Sequence, residues 1–368
     1  MNRPHRPRCP RPPRSLLAAL LLCFCTAPFA ALPRADVRTT GRVLADANGW
    51  HATWPGVTLT VRFKGRAIGV VLDDPLSSYT VELDGALRKP LPMVDGEHTV
   101  WLRLLSRGVH ELRLTRRNET TTGAGTIHGF LLEAGGSWPP AKAADRSNTR
   151  QIEFIGDSFT AGLADLSTKR NCNAAKIRAT SDATATFGVR VARQFHADWE
   201  LNAMSGMGMN RNWNGNLPNE NFRTYYPRLL QSDAQSVADD PAWHPQLAVI
   251  GLGINDFSTP IHDGEAWTRE SLAGQFKASY RELIADLRRR YGDIAIIVTA
   301  VKIGEDGQQP LLVKQVAQAE NADGDPRVYY VEYDDLELTA CQWHPNQADH
   351  ARMARALIEE IEKIKPFR

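Results

Sequence analysis

The feature that most narrows what this chain can fold into is a change of rhythm near residue 150. From about Val37 to Trp138 the sequence alternates and turns. Val57-Thr58-Leu59-Thr60-Val61-Arg62-Phe63 has period two, Ala67 to Leu72 runs apolar, and Tyr79-Thr80-Val81-Glu82-Leu83 ends at Asp84-Gly85, a hairpin signal. His98 to Leu105 and His110 to Leu114 continue the pattern, with turns expected at Lys64-Gly65 and Arg107-Gly108. Nothing in this stretch has the spacing of a helix longer than two turns. Short strands at even intervals predict an antiparallel sandwich, of jelly-roll type, over residues 37–138.

Residues 139–149 have the composition of a linker. Beyond them short apolar runs (Ile152 to Ile155, Leu247 to Leu252, Ile294 to Val298, Val328 to Val331) alternate with helical patterns. The clearest of these places Leu272, Phe276, Tyr280, Leu283 and Leu287 on one face. The last places Met353, Leu357, Ile361 and Ile364 behind an Asn346 N-cap. That alternation predicts a three-layer α/β/α, flavodoxin-like domain over 150–368, with its site at the carboxyl ends of the parallel strands.

Charge excludes one class of function. The chain holds 44 Lys+Arg against 42 Asp+Glu, but five of those arginines and no acid lie in residues 1–30, so the remainder is 39 against 42, a formal −3. A general basic field for nucleic acid is absent. The same arginines precede the apolar run Leu16 to Cys25 and then Thr26-Ala27-Pro28, the layout of a signal peptide cleaved at about residues 27–36. The run is half the roughly 20 residues a membrane span needs, and no later segment is longer. The expectation is a secreted or periplasmic protein with no membrane span after signal removal. Cys9, Cys23 and Cys25 fall in that leader, leaving Cys172 and Cys341 as one possible disulfide or as two buried thiols. No Cys/His cluster has ligand spacing, so no metal is expected.

Chemistry concentrates where the strands end. The first strand runs into Gly156-Asp157-Ser158-Phe159-Thr160-Ala161-Gly162, where a glycine-flanked turn can hold a serine hydroxyl free at the sheet edge. Position 160 is Thr, so this is not the G-x-S-x-G elbow. Three further segments follow in order: Asn202-Ala203-Met204-Ser205-Gly206-Met207-Gly208, then Gly251-Leu252-Gly253-Ile254-Asn255-Asp256, then Trp343-His344-Pro345-Asn346. The middle two do not complete a dinucleotide fingerprint, because Arg211 and Asp256 stand where its last glycine belongs, and no cofactor is expected.

Together the four segments resemble the sequence blocks of the SGNH (GDSL-type) hydrolases over essentially all of 150–368. With the preceding all-β domain, they look most like the two-domain family-2 carbohydrate esterases. The resemblance implies Ser158 as nucleophile and His344 as general base. It implies an oxyanion hole from the N–H groups of Ser158 and Gly206 and the amide of Asn255, with Gly208 the alternative to Gly206. The physics suits these types: a serine needs an imidazole to take its proton, and neutral fixed donors stabilise a tetrahedral oxyanion.

One departure stands out. The superfamily usually has an aspartate three residues before the histidine, and here that position is Cys341. Asp334, Asp335 and Asp349 lie nearby, and spacing does not choose among them. The family resemblance allows a backbone carbonyl instead, giving a Ser-His dyad. A Cys172–Cys341 disulfide would then steady the loop carrying the base. Trp343 and Trp213, on loops beside the site, are candidate platforms for sugar rings.

The function so implied is an exported serine esterase that removes O-acetyl groups from an acetylated polysaccharide or oligosaccharide of xylan or glucomannan type. The alternatives are the same site acting on another acyl ester (lipid, thioester or peptidoglycan O-acetyl), or an inert carbohydrate-binding protein.

Overall fold

The computed structural model describes residues 36–140, 149–302 and 307–367. The expected signal peptide and residues 141–148 of the expected linker lie outside the described residues.

The first half is antiparallel. Its strands are β1 (Arg38–Thr40), β2 (Leu44–Asp46), β3 (Gly49–Ala52), β4 (Thr58–Asp74), β5 (Tyr79–Leu83), β6 (Ala86–Leu87), β7 (Val94–Arg116) and β8 (Gly125–Leu132). They pair in the order β2-β3-β8-β4-β7-β5-β6, with β1 on β4. The expected hairpin at Asp84-Gly85 forms, both residues having positive φ (53° and 76°) as a primed turn requires. The other two expected turns do not. Lys64-Gly65 and Arg107-Gly108 sit inside β4 and β7, where Gly65 pairs with Gly108 and the register slips before Ala67. Facing glycines here mark a bulge in a long ribbon, not a chain reversal. The alternating residues Leu59, Val61, Phe63, Ile68, Val70 and Leu72 point inward and are buried.

The second half is a five-stranded parallel sheet: β9 (Arg150–Gly156), β10 (Ala197–Ala203), β11 (Leu247–Gly251), β12 (Ala295–Val301) and β13 (Val328–Tyr333), in the order β10-β9-β11-β12-β13. Around it lie α1 (Ser158–Ala161), α2 (Ala174–Thr180), α3 (Phe187–Gln194), α4 (Phe222–Tyr225), α5 (Ile254–Phe257), α6 (Arg269–Tyr291), α7 (Gln308–Ala322) and α8 (Gln347–Ile364). The predicted stripe of α6 (Leu272, Phe276, Tyr280, Leu283, Leu287) is buried, and so are Met353, Leu357 and Ile361 of α8. Asn346 caps α8 through the N–H groups of Ala348 and Asp349.

The chain leaves β9 first to one side, for β10, and then crosses to the other, for β11. Sheets wound in this order bind ligands between the carboxyl ends of the first and third strands, which here are β9 and β11.

The two halves share one buried cluster. Arg42 of the antiparallel half reaches under the parallel sheet, 3.7 Å from both Glu153 on β9 and Glu200 on β10, and lies over the rings of Trp54 (5.1 Å) and Tyr226 (4.9 Å). Trp54 Nε1 donates to Leu229 O (3.1 Å), and Trp199 Nε1 donates back to Gly56 O (3.2 Å).

Candidate active site

β9 ends in Gly156, where any Cβ would stand 2.1 Å from Thr160 Oγ1. Only glycine lets the chain turn so tightly into α1. The Asp157 carboxylate caps that short helix at Phe159 N (3.0 Å), and Gly162 ends it in the left-handed conformation. Ser158 is thereby held at the first helical position, at the strand's carboxyl end.

His344 arrives from the far end of the chain. Its Nε2 lies 2.8 Å from Ser158 Oγ, and its Nδ1 lies 2.8 Å from the carbonyl oxygen of Cys341. A carbonyl only accepts, so Nδ1 carries the proton and donates it there. Nε2 is left with the lone pair that accepts from the serine hydroxyl. None of the three candidate acids orients the ring. Asp334 and Asp335 are exposed. The buried Asp349 instead accepts from the N–H groups of Glu337 (2.8 Å), Leu338 (3.0 Å) and Asn346 (3.1 Å), so it shapes the loop and not the imidazole. Burial lowers the His344 pKa below the ordinary histidine value, opposed by its bond to the Cys341 carbonyl.

The loop supplying that carbonyl is clamped from one side by residues 170–172. Cys172 and Cys341 form a disulfide with Cα atoms 5.5 Å apart. Gln342 N donates to Arg170 O (2.7 Å), and the Arg170 guanidinium donates to Leu338 O and Glu337 O (2.9 Å each) while lying over the Trp343 ring. The clamp accommodates two successive left-handed residues, Gln342 (φ 56°) and Trp343 (φ 58°), which side chains with a Cβ adopt only under constraint. They turn Trp343 outward, 59% exposed.

Gly206 and Gly208 are the two candidates for the expected oxyanion donor. Gly208 N–H is already bonded to Asn212 Oδ1 (3.0 Å), and a Cβ there would lie 2.0 Å from Arg211 O. Gly206 has φ 78°, open space where its Cβ would be, and a carbonyl that accepts from Trp213 N (2.9 Å). Its own N–H has no partner among the described residues. Trp213, 51% exposed, is thus anchored through its backbone to the Gly206 peptide.

Asn255, in α5 just past β11, completes the cluster. Its Nδ2 donates to Met207 O (2.9 Å) and, at a longer 3.3 Å, to Asp157 Oδ2. The neighbouring Asp256 accepts from three successive N–H groups, those of Met209, Asn210 and Arg211 (2.8 to 3.0 Å). It ties the Gly206 loop to the Asn255 turn. Burial pushes Asp157 up to about 7, against the pull of the Phe159 N–H and helped by Asp256. It pushes Asp256 up to about 6 against those three donors. Arg211 locks the adjoining loop through Glu265 (2.6 Å), which it holds down to about 2, and through Pro260 O (2.7 Å).

The buried aspartates and Arg211 escaped the reading by motif. Their signal was present in the sequence, in the acids directly beside Ser158 and Asn255, but it carries meaning only once two distant loops are known to touch. Among the described residues no group of His, Cys, Asp and Glu has the geometry of a metal site.

Residues 39–141 match the family described as carbohydrate esterase 2 N-terminal, and residues 152–357 match GDSL-like lipase/acylhydrolase. Fold and site together define a GDSL-type acylhydrolase, a carboxylic ester hydrolase. An acetylxylan esterase / glucomannan deacetylase of Cellvibrio japonicus is 31% identical over 363 residues, which cover 95% of this chain and 97% of the relative. The chain belongs to the family-2 carbohydrate esterases.

Solved structures agree. A carbohydrate esterase whose active site is described as having divergent catalytic and non-catalytic binding functions superposes with a TM-score of 0.81 at 29% identity, covering 92% of this chain and 99% of its own. A family two carbohydrate esterase from Clostridium thermocellum in complex with cellohexaose gives 0.79 at 28% identity, over 90% and 100%.

Proposed function

We propose that this is an exported esterase, secreted or periplasmic, that removes O-acetyl groups from a plant-wall polysaccharide of xylan or glucomannan type through a Ser158–His344 dyad. The observation that carries the dyad is the pair of 2.8 Å contacts from His344, one to Ser158 Oγ and one to the Cys341 carbonyl. The names of the relatives supply the substrate class.

Ser158 passes its proton to His344 Nε2 as Oγ attacks the acetyl carbonyl carbon. Charge moves to the carbonyl oxygen, which faces the Ser158 and Gly206 N–H groups and takes the long Asn255 hydrogen bond away from Asp157. Collapse breaks the ester bond. The sugar oxygen leaves with the proton from His344, and acetyl-Ser158 remains. Water then attacks, gives a proton to His344 and releases acetate, and the proton returns to the serine. The Cys341 carbonyl stabilises the imidazolium at both stages, in place of an acid. Trp343 and Trp213, both exposed, offer aromatic faces for sugar rings. In the same reading residues 37–138 are a jelly-roll sandwich and residues 150–368 the hydrolase domain.

Acetate release from acetylated xylan and glucomannan, beside 4-nitrophenyl esters of rising chain length, tests the reading. Release from the polymers, with turnover falling beyond acetyl and lost in Ser158→Ala, is expected. Turnover that climbs with chain length would point to a lipid-type acyl group. No turnover of any ester would leave a carbohydrate-binding protein.

A further inference from the structure

Between the loop that follows β7 and the α/β half lies a cleft of about 320 Å³, within the range of small-ligand sites, about 300–1,000 Å³. Its walls come from both halves. Glu119 to Thr122 form one side, and Leu163, Arg178, Met204 and Ser205 belong to the other. The hydrolase wall borders the catalytic residues: Ser205 directly precedes Gly206, and Leu163 N donates to Ser158 O (3.0 Å).

We infer that this cleft holds a sugar unit of the polysaccharide flanking the unit that is deacetylated. The inference rests on the polysaccharide reading above. A pyranose ring presents hydroxyls at its edge and C–H groups on its faces, and the lining offers both kinds of surface. Leu163 and Met204 are apolar. Ser205, which lines the cleft, has a hydroxyl oxygen without a hydrogen-bond partner among the described residues. Glu119 uses Oε1 to accept from Ser205 N (3.2 Å), and no hydrogen bond among the described residues takes its second oxygen. The exposed Arg178 side chain has no ion-pair partner among the described residues.

The walls are fixed beforehand. Asn118 N donates to Ser77 Oγ (3.1 Å) and Asn118 Nδ2 to Arg178 O (3.3 Å); Thr120 N donates to Thr53 O (2.9 Å). Little freedom remains to be lost when a ligand enters, which favours affinity. The same contacts bury Asn118.

The test compares acetylated xylan with 4-nitrophenyl acetate, which has no neighbouring sugar unit to place in the cleft. The variants are Arg178→Ala and Thr121→Trp, both at exposed positions, the second filling the cleft from its rim. The ratio of kcat/KM for the polymer to that for the small ester should fall at least fivefold in each. Unacetylated xylo-oligosaccharides should inhibit the variants correspondingly more weakly. Ratios within twofold of the parent in both variants would overturn the inference and leave the esterase reading standing. A parent protein that cleaves 4-nitrophenyl acetate but frees no acetate from xylan or glucomannan would overturn both.

Discussion

At Asn255 a single amide nitrogen serves two acceptors, one firmly at Met207 O and one at 3.3 Å to Asp157. In the proposed mechanism the long bond is the one that a developing oxyanion takes. Asn255→Ala removes it, and kcat on 4-nitrophenyl acetate should fall by about 10²–10³, as when one oxyanion donor is lost. Asp157→Asn is subtler. Its amide oxygen is needed by Phe159 N–H, so its NH₂ would face the NH₂ of Asn255, donor against donor. A roughly tenfold drop in kcat, about 1.4 kcal/mol, with KM little changed is expected, and steady-state kinetics of the two variants checks both. In the proposed mechanism His344 sets the acid limb of the pH profile. Burial lowers its pKa, so the neutral base persists below the usual 6.5. The His344 limb of kcat/KM should therefore lie below pH 6.5, and a limb centred at 7 or above that persists in Asp157→Asn, which removes the neighbouring group at about 7, would contradict the buried, carbonyl-held ring. Ser158, Gly206, Asn255 and His344 are legible as candidates because each sits in a short motif. Asp157 was printed inside one of those motifs without its role, because that role is a contact across 98 positions.

The element that most distinguishes this site is the turn at residues 341–344, held from residues 170–172. Where an acid would support the imidazole from a side chain, here a backbone carbonyl does, so its position depends on everything that fixes the turn. The disulfide links segments 169 residues apart, and removing a native disulfide typically costs about 2–5 kcal/mol. Cys172→Ser or mild reduction should lower the melting temperature, measurable by calorimetry. It should also depress kcat more than KM, because the base loses its fixed distance to Ser158. Unchanged kcat in fully reduced protein would show that the Arg170 contacts alone suffice. The sequence displayed two cysteines but not their distance, so bridge and free thiols stayed open. The hairpin at Asp84-Gly85 and the stripes of α6 and α8 were readable because their signals are local. Gly65 and Gly108 misled for the converse reason: glycine favours both a turn and a bulge, and only the partner strand decides.

On the scale of the whole molecule, the two halves are joined by buried polar contacts as well as apolar ones. Arg42 stands against Glu153 and Glu200, and its guanidinium also donates to the carbonyls of Tyr226 and Arg228. Burial raises the Glu200 pKa, with Arg42 opposing. Breaking such a group by removing one partner is costly, about 3–5 kcal/mol. Arg42→Ala should lower stability by that order, or split thermal unfolding into two transitions, and differential scanning calorimetry distinguishes the two. A single transition at the parent temperature would show that Arg42 contributes nothing to holding the halves together. Two domains of different class were legible from the change of rhythm at residue 150, but their joint was not, since Arg42 lies in an unremarkable stretch of sequence. The proposed activity rests on Ser158 carrying the acyl group. Acid-quenching the enzyme during turnover of acetylated glucomannan, followed by peptide mapping, tests this most directly: the account predicts one acetyl group on the Ser158 hydroxyl, absent in His344→Ala. An unmodified serine, together with acetate release that persists in Ser158→Ala, would contradict it.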